Sequence, residues 1–345
     1  MTSKLKLALV GAGHMGRFHA QAIVESPDAV LTAVCDVDAA RAAALARPAG
    51  ALVLTDPAGL AGLVDAAVIA AASSAHRDVA IALMERGIAC LIEKPLAATS
   101  GEACQIVEAA RRTGAIVQVG HILRFDPVTR AIAGRQVKPA YMEVSWVSPY
   151  TGRSMDVGVV MDVLIHSLDV VLAVAGEMPR RIDAVGGAVI GPHEDFANVR
   201  LEFPGGCVAN LSASRMSRSR QRLVRIFAHG AYLKLDYAAR TVESVALKPG
   251  AAERIRSGAA AASGPRPAGG ADLMADLVAV EKIPVEATPD ALRAQLASFL
   301  GAVRGEHTPL VSVEDGARAV QVAQSIIEQV GRTCHEQPAA RKSDE

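Results

Sequence analysis

The chain has few aromatic side chains. Phe, Trp and Tyr together make 3% of its 345 residues. Its cores must therefore rest on Ala, Val, Leu and Ile, which the 51% hydrophobic content supplies. Net charge is lacking too, because 36 Lys plus Arg balance 36 Asp plus Glu. That balance argues against nucleic acid or an anionic membrane as the main partner. No run of about 18 apolar residues occurs, so no membrane span is expected. Cys35, Cys90, Cys104, Cys207 and Cys334 are scattered, and no pair has zinc-site or redox C-x-x-C spacing. Reduced, mostly buried thiols in a cytoplasmic protein are the expectation. MTSK leads straight into a strand-like run, with no secretory h-region or cleavage site.

What is present begins at residue 5. The apolar run Leu5 to Val10 meets Gly11-Ala12-Gly13-His14-Met15-Gly16, and a helical stretch starts near Arg17. A second apolar run, Val30 to Cys35, ends at Asp36, 20 residues beyond Gly16. This is a dinucleotide-binding fingerprint in a strand–turn–helix–strand setting. Gly11 permits the sharp turn, Gly13 lets backbone approach a pyrophosphate, and Gly16 lets the helix sit close to the sheet. The helix start, at His14 and Met15, favours phosphates through its free N–H groups and dipole. Asp36 can accept from both ribose hydroxyls and would repel a 2′-phosphate, which favours NAD. Val37 offers no positive charge, but Arg41 lies four residues further on and keeps NADP as the alternative.

Strand and helix patterns alternate to about Gly120. Helices are expected from Asp36 to Ala46, with Asp38 as N-cap, from Ser73-Ser74 as cap to about Arg86, and from Thr99 or Ser100 to Thr113. Strands are expected at 51–55, 65–72, 88–93 and 115–119. Such alternation implies parallel crossovers. Beyond His121 the texture changes. Helices are expected at 126–134 and 158–175, and strands at 141–147, 181–190, 196–203, 207–213, 222–229, 231–237 and 241–247. Residues 248–271, rich in Gly, Ala and Pro, read as a mobile loop. Two amphipathic helices, 289–304 and 314–331, are expected to pack back on the first domain. The fold class is thus an α/β Rossmann doubly wound parallel sheet over residues 1–121. An α+β domain with a mostly antiparallel sheet follows over 122–345.

Two clusters carry chemistry. Glu93-Lys94-Pro95 ends the strand at 88–93, on the side of the sheet where ligands bind, and a cis bond at Pro95 would aim Lys94 inward. A plain surface lysine is the other reading. In Met161-Asp162-Val163-Leu164-Ile165-His166-Ser167-Leu168-Asp169, helical steps of about 100° bring Asp162, His166 and Asp169 within roughly 60° of one another. An acid–imidazole–acid line on an otherwise apolar helix suits proton transfer near neutral pH. A solvated face, a satisfied core histidine and a divalent metal site are the competing readings. No further His or Cys set supports the metal, and none is expected.

VGAGHMGRFHAQAI, CDVD, AASSAHRDVA, IEKPLA, VGHILRFDP and MDVLIHSLDVV, with the closing ASFLGAVRGEHTPLVSVEDGARAVQVAQSI, resemble the Gfo/Idh/MocA family of oxidoreductases. The resemblance implies that Lys94 lies beside the nicotinamide and orients the substrate hydroxyl. It implies His166 as general base and Asp162 as its partner or as a substrate-positioning acid. Ser73, Ser74 and His76 would line the nicotinamide side. Around the cofactor the expected set is Gly11, Gly13, His14, Met15, Gly16, Asp36, Ser73, Ser74, His76, Glu93 and Lys94. Around the substrate it is Lys94, Arg124, Asp162, His166 and Asp169. The family's sheet-mediated assembly implies a homodimer or homotetramer.

Arg215, Arg218, Arg220, Arg222 and Arg225 crowd residues 212–225 and suit a phosphate clamp, or else a solvated strand edge. Within the family, RFDP, RIDAVG, ANVRLEFPGGCVANLSASR and LDYAA are most similar to the UDP-N-acetylglucosamine 3-dehydrogenases, with a departure at Gly158. This implies a sugar or nucleotide-sugar substrate. An inositol or free-sugar dehydrogenase, a glycosidase that retains NAD, and a non-catalytic sensor are the rivals.

Overall fold

The computed structural model describes residues 3–135, 137–150, 157–257, 277–287 and 290–335. The described residues form two compact units, those that fall within 1–126, 160–173 and 288–345, and those that fall within 127–159 and 174–287.

In the first unit, β1 (Leu5–Val10), β2 (Ala29–Cys35), β3 (Leu52–Leu54), β4 (Ala66–Ile69), β5 (Ala89–Glu93) and β6 (Val117–Gly120) form one parallel sheet. Its order is β3-β2-β1-β4-β5-β6, so the order reverses between β1 and β4. Helices α1 (His14–Glu25), α2 (Ala39–Ala46), α3 (Ser73–Met84) and α4 (Ser100–Thr113) supply crossovers. Each boundary has a local cause. Asp38 caps α2 by accepting from the Ala40 and Arg41 N–H groups. Thr99 and Glu102 form a reciprocal capping box at α4, and Gly114 closes that helix at φ +67°. The expected Ser73-Ser74 cap is not formed. Ala72 is the N-cap of α3 with no side-chain bond, and both serines lie inside the first turn.

After a 3₁₀ turn at Ile122–Phe125, the expected helix 126–134 narrows to α5 (Pro127–Arg130). The next bonds, Ile132 N–H to Thr129 and Ala133 N–H to Arg130, span only three residues and tighten the chain into a turn. The helix expected over 158–175 opens with a π turn, Val160–Leu164, before α6 (Ile165–Ala175).

The second unit contains an eight-stranded sheet. Its strands are β7 (Pro139–Val147), β8 (Arg181–Gly187), β9 (Phe196–Glu202), β10 (Val208–Ser214), β11 (Gln221–Ala228), β12 (Ala231–Asp236), β13 (Thr241–Leu247) and β14 (Val278–Ile283). The order is β14-β13-β12-β11-β7-β10-β9-β8, and only β7 and β10 pair in parallel. Alternation is clean along these strands. Met142, Val144, Leu211, Val224 and Ile226 are buried, whereas Glu143, Ser145 and Arg225 stand between them on the less buried face. Part of the segment read as a loop is helical, α7 (Ala251–Arg256), and residues 258–271 of it lie outside the described residues.

The chain ends in α8 (Ala291–Val303) and α9 (Val313–His335). Leu292, Leu296, Phe299 and Leu300 of α8 join Leu7, Leu9, Ile23, Val34 and Leu91 in one core. Aromatics are scarce, but Phe125, Phe203 and Phe299 are each 0% exposed. Full burial of such a side chain contributes about 1.5–3 kcal/mol.

Candidate functional site

At the carboxyl ends of β1, β2 and β4, where strand order reverses, a cleft of about 340 Å³ is lined by Gly11, Gly13, Asp36, Arg41, Ala71 and neighbours. Three glycines shape it differently. Gly11 sits at φ +98°, and a Cβ there would stand 2.4 Å from the Ala71 nitrogen. A Cβ on Gly16 would reach within 2.1 Å of the Gly11 oxygen. A Cβ on Gly13 would meet nothing within 4 Å, so its absence leaves space rather than relieving a clash.

Gly13 is the N-cap of α1, with no side-chain cap and no acid in the first turn. The helix start therefore keeps N–H groups for an anion. His14 and Met15 open the helix from exposed positions, and the His14 ring stacks edge-on with Phe18 at 5.1 Å. Asp36 is fixed at the rim. Its Oδ2 accepts from the Ala12 N–H at 2.7 Å and its Oδ1 from the Asp38 N–H at 2.9 Å. Each oxygen retains lone-pair capacity for a ribose hydroxyl. Arg41 lines the same cleft, but its Nε is held 3.0 Å from Asp38 Oδ2. An uncapped helix start, a bare Gly13 and a fixed acid together fit a dinucleotide. Cys35, also in the lining, is no reactive thiol: burial, with Asp56 and Asp36 nearby, pushes it up to about 11.

Lys94 follows β5, and the Lys94–Pro95 peptide is cis, as the sequence suggests. Its Nζ donates to the Asp162 carbonyl at 3.0 Å and lies 3.5 Å from Asp162 Oδ1. The lysine and the acid are 17% and 32% exposed, so the pair is sheltered but reachable. Asp162 lies within the π turn Val160–Leu164, which is wider than a regular α turn. Regular α spacing therefore does not relate Asp162 to His166. His166 follows in the first turn of α6 and is half-buried.

Several expected site residues turn inward. His76 is 1% exposed, with Nδ1 3.0 Å from the Pro95 oxygen and Nε2 3.1 Å from the Ala71 oxygen. It braces the cleft from behind and does not line it. Burial draws its pKa below the ordinary histidine value, against the two carbonyl oxygens that favour the charged ring. The Glu93 carboxylate is also turned away from the cleft, bonded to His19 at 2.7 Å and to the Lys94 N–H at 3.1 Å. Burial pushes its pKa up, but the His19 bond and the charges of His19 and Lys94 hold it below the usual carboxylate range. Asp169 is 2% exposed and sits 3.5 Å from Arg124 Nη1, while Arg124 Nη2 reaches the Leu310 carbonyl. Burial raises the Asp169 pKa.

His19 and His121, both 1% exposed, went unread in the sequence. A signal existed for His19. It falls on the buried stripe Gly16, His19, Ala20, Ile23 of α1, where an imidazole must find a partner. His121 had no such pattern. Among the described residues, neither of its ring nitrogens has a hydrogen-bond partner, nor does Asp169 Oδ2.

The arginine cluster divides. Arg215 is buried against Asp195, with Nε 2.6 Å from Oδ1. Arg225 pairs with Glu143 at 2.8 Å, and the Arg222 guanidinium lies 5.5 Å from the Trp146 ring centre. Arg218 and Arg220 are exposed. The phosphate-clamp reading thus loses Arg215 and Arg225 to structural pairs.

Residues 5–121 match the sequence model of an oxidoreductase family with an NAD-binding Rossmann fold, and residues 134–233 match the GFO/IDH/MocA C-terminal domain. The chain belongs to the Gfo/Idh/MocA family of oxidoreductases. Its first unit carries the family's NAD-binding domain. Among its relatives is the UDP-N-acetylglucosamine 3-dehydrogenase of Acidithiobacillus ferrooxidans, 32% identical over 241 residues, 69% of this chain and 76% of that one. A solved structure of the A. ferrooxidans enzyme has a TM-score of 0.83 at 30% identity, covering 96% of this chain and 99% of its own. The scyllo-inositol 2-dehydrogenase (NAD(+)) of Bacillus subtilis is 30% identical over 236 residues, 63% of this chain and 69% of its own. Among the described residues no helix is long and apolar enough to cross a membrane, and no group of three or more His, Cys, Asp or Glu could hold a metal ion.

Proposed function

We propose that this Gfo/Idh/MocA oxidoreductase oxidises a secondary hydroxyl of a sugar or nucleotide sugar, with the 3-hydroxyl of UDP-N-acetylglucosamine as its substrate. The observation that carries the reaction is the Lys94 ammonium, held 3.0 Å from the Asp162 carbonyl at the end of β5. Gly11, Gly13, Gly16, the start of α1 and Asp36 hold the dinucleotide. When bound, NAD supplies the redox chemistry by accepting the carbinol hydrogen as hydride.

The chain's own groups handle position and the proton. Lys94 Nζ donates to the substrate oxygen and favours its alkoxide character. Asp162, by bonding Lys94, keeps that donor from swinging away. His166 takes the hydroxyl proton as the carbonyl forms. The products are a ketone, NADH and one proton, first held on His166. Replacing Lys94 or His166 by Ala is expected to lower kcat by about a thousandfold, read as NADH absorbance. A non-catalytic sensor would instead keep ligand affinity in both variants.

The substrate assignment draws its support from similarity along nearly the whole chain to a UDP-N-acetylglucosamine 3-dehydrogenase. A second reading, an inositol or free-sugar dehydrogenase, is favoured by the loss of Arg215 and Arg225 to protein partners. Purified protein with NAD and UDP-N-acetylglucosamine separates them. NADH formation supports the first reading. No NADH there, with turnover of myo-inositol, overturns it in favour of the second. Cleavage of an aryl glycoside with no NADH released would sink both. Homo-oligomerisation belongs to this reading, and light scattering tests it.

A further inference from the structure

Behind Lys94 lies a buried acid–imidazole pair that the reaction above does not use. Glu93 ends β5 and His19 lies in the second turn of α1. His19 Nε2 stands 2.7 Å from Glu93 Oε1, and the Lys94 N–H donates to Glu93 Oε2 at 3.1 Å. Strand β6 gives up a side chain for this carboxylate. A Cβ on Gly120 would come 2.9 Å from Glu93 Cα and 3.1 Å from Oε2. A carboxylate buried this deeply is costly unless its lone pairs are satisfied. Here one bond goes to the helix that opens at the nucleotide cleft, the other to the main chain of Lys94.

The far side of Lys94 is held as well. The Pro95 carbonyl faces His76 Nδ1 at 3.0 Å, and His76 Nε2 faces the carbonyl of Ala71, itself a cleft residue. The main chain is therefore pinned immediately before and after the lysine, each time through a buried histidine. Each histidine leads back to an element of the nucleotide cleft.

We propose that His19, Glu93 and His76 are positioning residues, which lock the Lys94 main chain to α1 and to the β4–α3 turn so that the ammonium is placed by the cofactor-binding elements themselves. The kinetic consequence rests on the proposed dehydrogenase reading, but the geometric one does not. A displaced Lys94 should cost turnover more than cofactor affinity, because a misplacement near 1 Å can cost about a hundredfold in rate.

The test uses the full-length protein and two readouts. The first is the rate of reductive methylation of Lys94 without NAD, followed by peptide mass spectrometry. His19→Leu removes the bond and should accelerate labelling several-fold. His19→Gln keeps an N–H donor and should label like wild type. The second readout is kinetic. His19→Leu should lose about tenfold in kcat with NAD affinity almost unchanged, and His19→Gln should recover most of it. Wild-type labelling in His19→Leu, or equal damage in Leu and Gln variants, overturns the proposal. If His19→Leu does not fold, Gly120→Ala crowds Glu93 from the other side. It should likewise expose Lys94 to labelling, and unchanged labelling there overturns the proposal too. If wild type turns over neither UDP-N-acetylglucosamine nor myo-inositol, the substrate reading fails, while the labelling arm still decides this one.

Discussion

Asp36 has two duties in one carboxylate. It holds the Ala12 and Asp38 N–H groups, at 2.7 and 2.9 Å, and it lines the cleft. The backbone bonds hold the acid at the rim, so little side-chain entropy remains to be lost when a ribose binds. Asp36→Ala is expected to weaken NAD binding about tenfold, the effect of losing charge-assisted hydrogen bonds. NADP should lose less, since the mutation also removes the repulsion of its 2′-phosphate, so the gap between the two narrows. Calorimetric titration of both dinucleotides checks this, and equal NAD affinity in wild type and variant would remove Asp36 from the site. At this scale the sequence was informative where spacing alone sets the role, as for Gly11, Gly13 and Asp36. It placed Glu93 and His76 at the cofactor, whereas buried partners take up their side chains, His19 for Glu93 and the Pro95 and Ala71 oxygens for His76, and no local pattern shows those partners.

Two glycines in one turn, Gly11 and Gly13, should fail in different ways. Gly11 is in the left-handed region, with backbone atoms of the β4–α3 connection where a Cβ would go. Gly13 has open space on that side. Gly11→Ala should therefore lower Tm, at a cost of at least 1–3 kcal/mol from strain and overpacking. Gly13→Val should leave Tm near wild type and lower NAD affinity at least about tenfold, because its side chain occupies pyrophosphate space. Differential scanning fluorimetry with and without NAD distinguishes them. The reverse pattern would contradict the assigned roles. Most strands and helices were legible from alternation, caps and glycine stops. The π turn was not. Its residues, Val160–Leu164, keep an apolar pattern that fits an ordinary helix, and nothing in their spacing marks the wider turn.

The molecule also carries a buried ion pair away from this chemistry, inside the unit that holds the eight-stranded sheet. Asp195 is 0% exposed, with Oδ2 accepting from the Val189, Ile190 and Gly191 N–H groups and Oδ1 facing Arg215 Nε. Arg215 also donates to the Val157 carbonyl, so the pair ties two loops together. Burial pushes the Asp195 pKa up, but the three N–H groups and the guanidinium hold it far below the usual carboxylate range. The native state thus binds fewer protons at this site than the unfolded chain. Its stabilisation is full above the unfolded value, about pH 4, and is lost as pH falls through the native pKa. Asp195→Asn should cost about 3 kcal/mol at neutral pH, and its Tm deficit should shrink as the pH drops below about 4. A deficit that grows with acidity would contradict this assignment. Sequence reading offered Arg215 to a phosphate because no local pattern links it to Asp195, 20 positions earlier.

The central claim is that Lys94, Asp162 and His166 serve direct transfer of a carbinol hydrogen to NAD. Its most direct test is UDP-N-acetylglucosamine carrying deuterium at C3, incubated with the enzyme and NAD, with the recovered cofactor analysed by mass spectrometry. The account predicts reduced cofactor bearing one deuterium and a slowed rate relative to protiated substrate. Reduced cofactor without deuterium, or ketone formed while NAD stays oxidised, would contradict it.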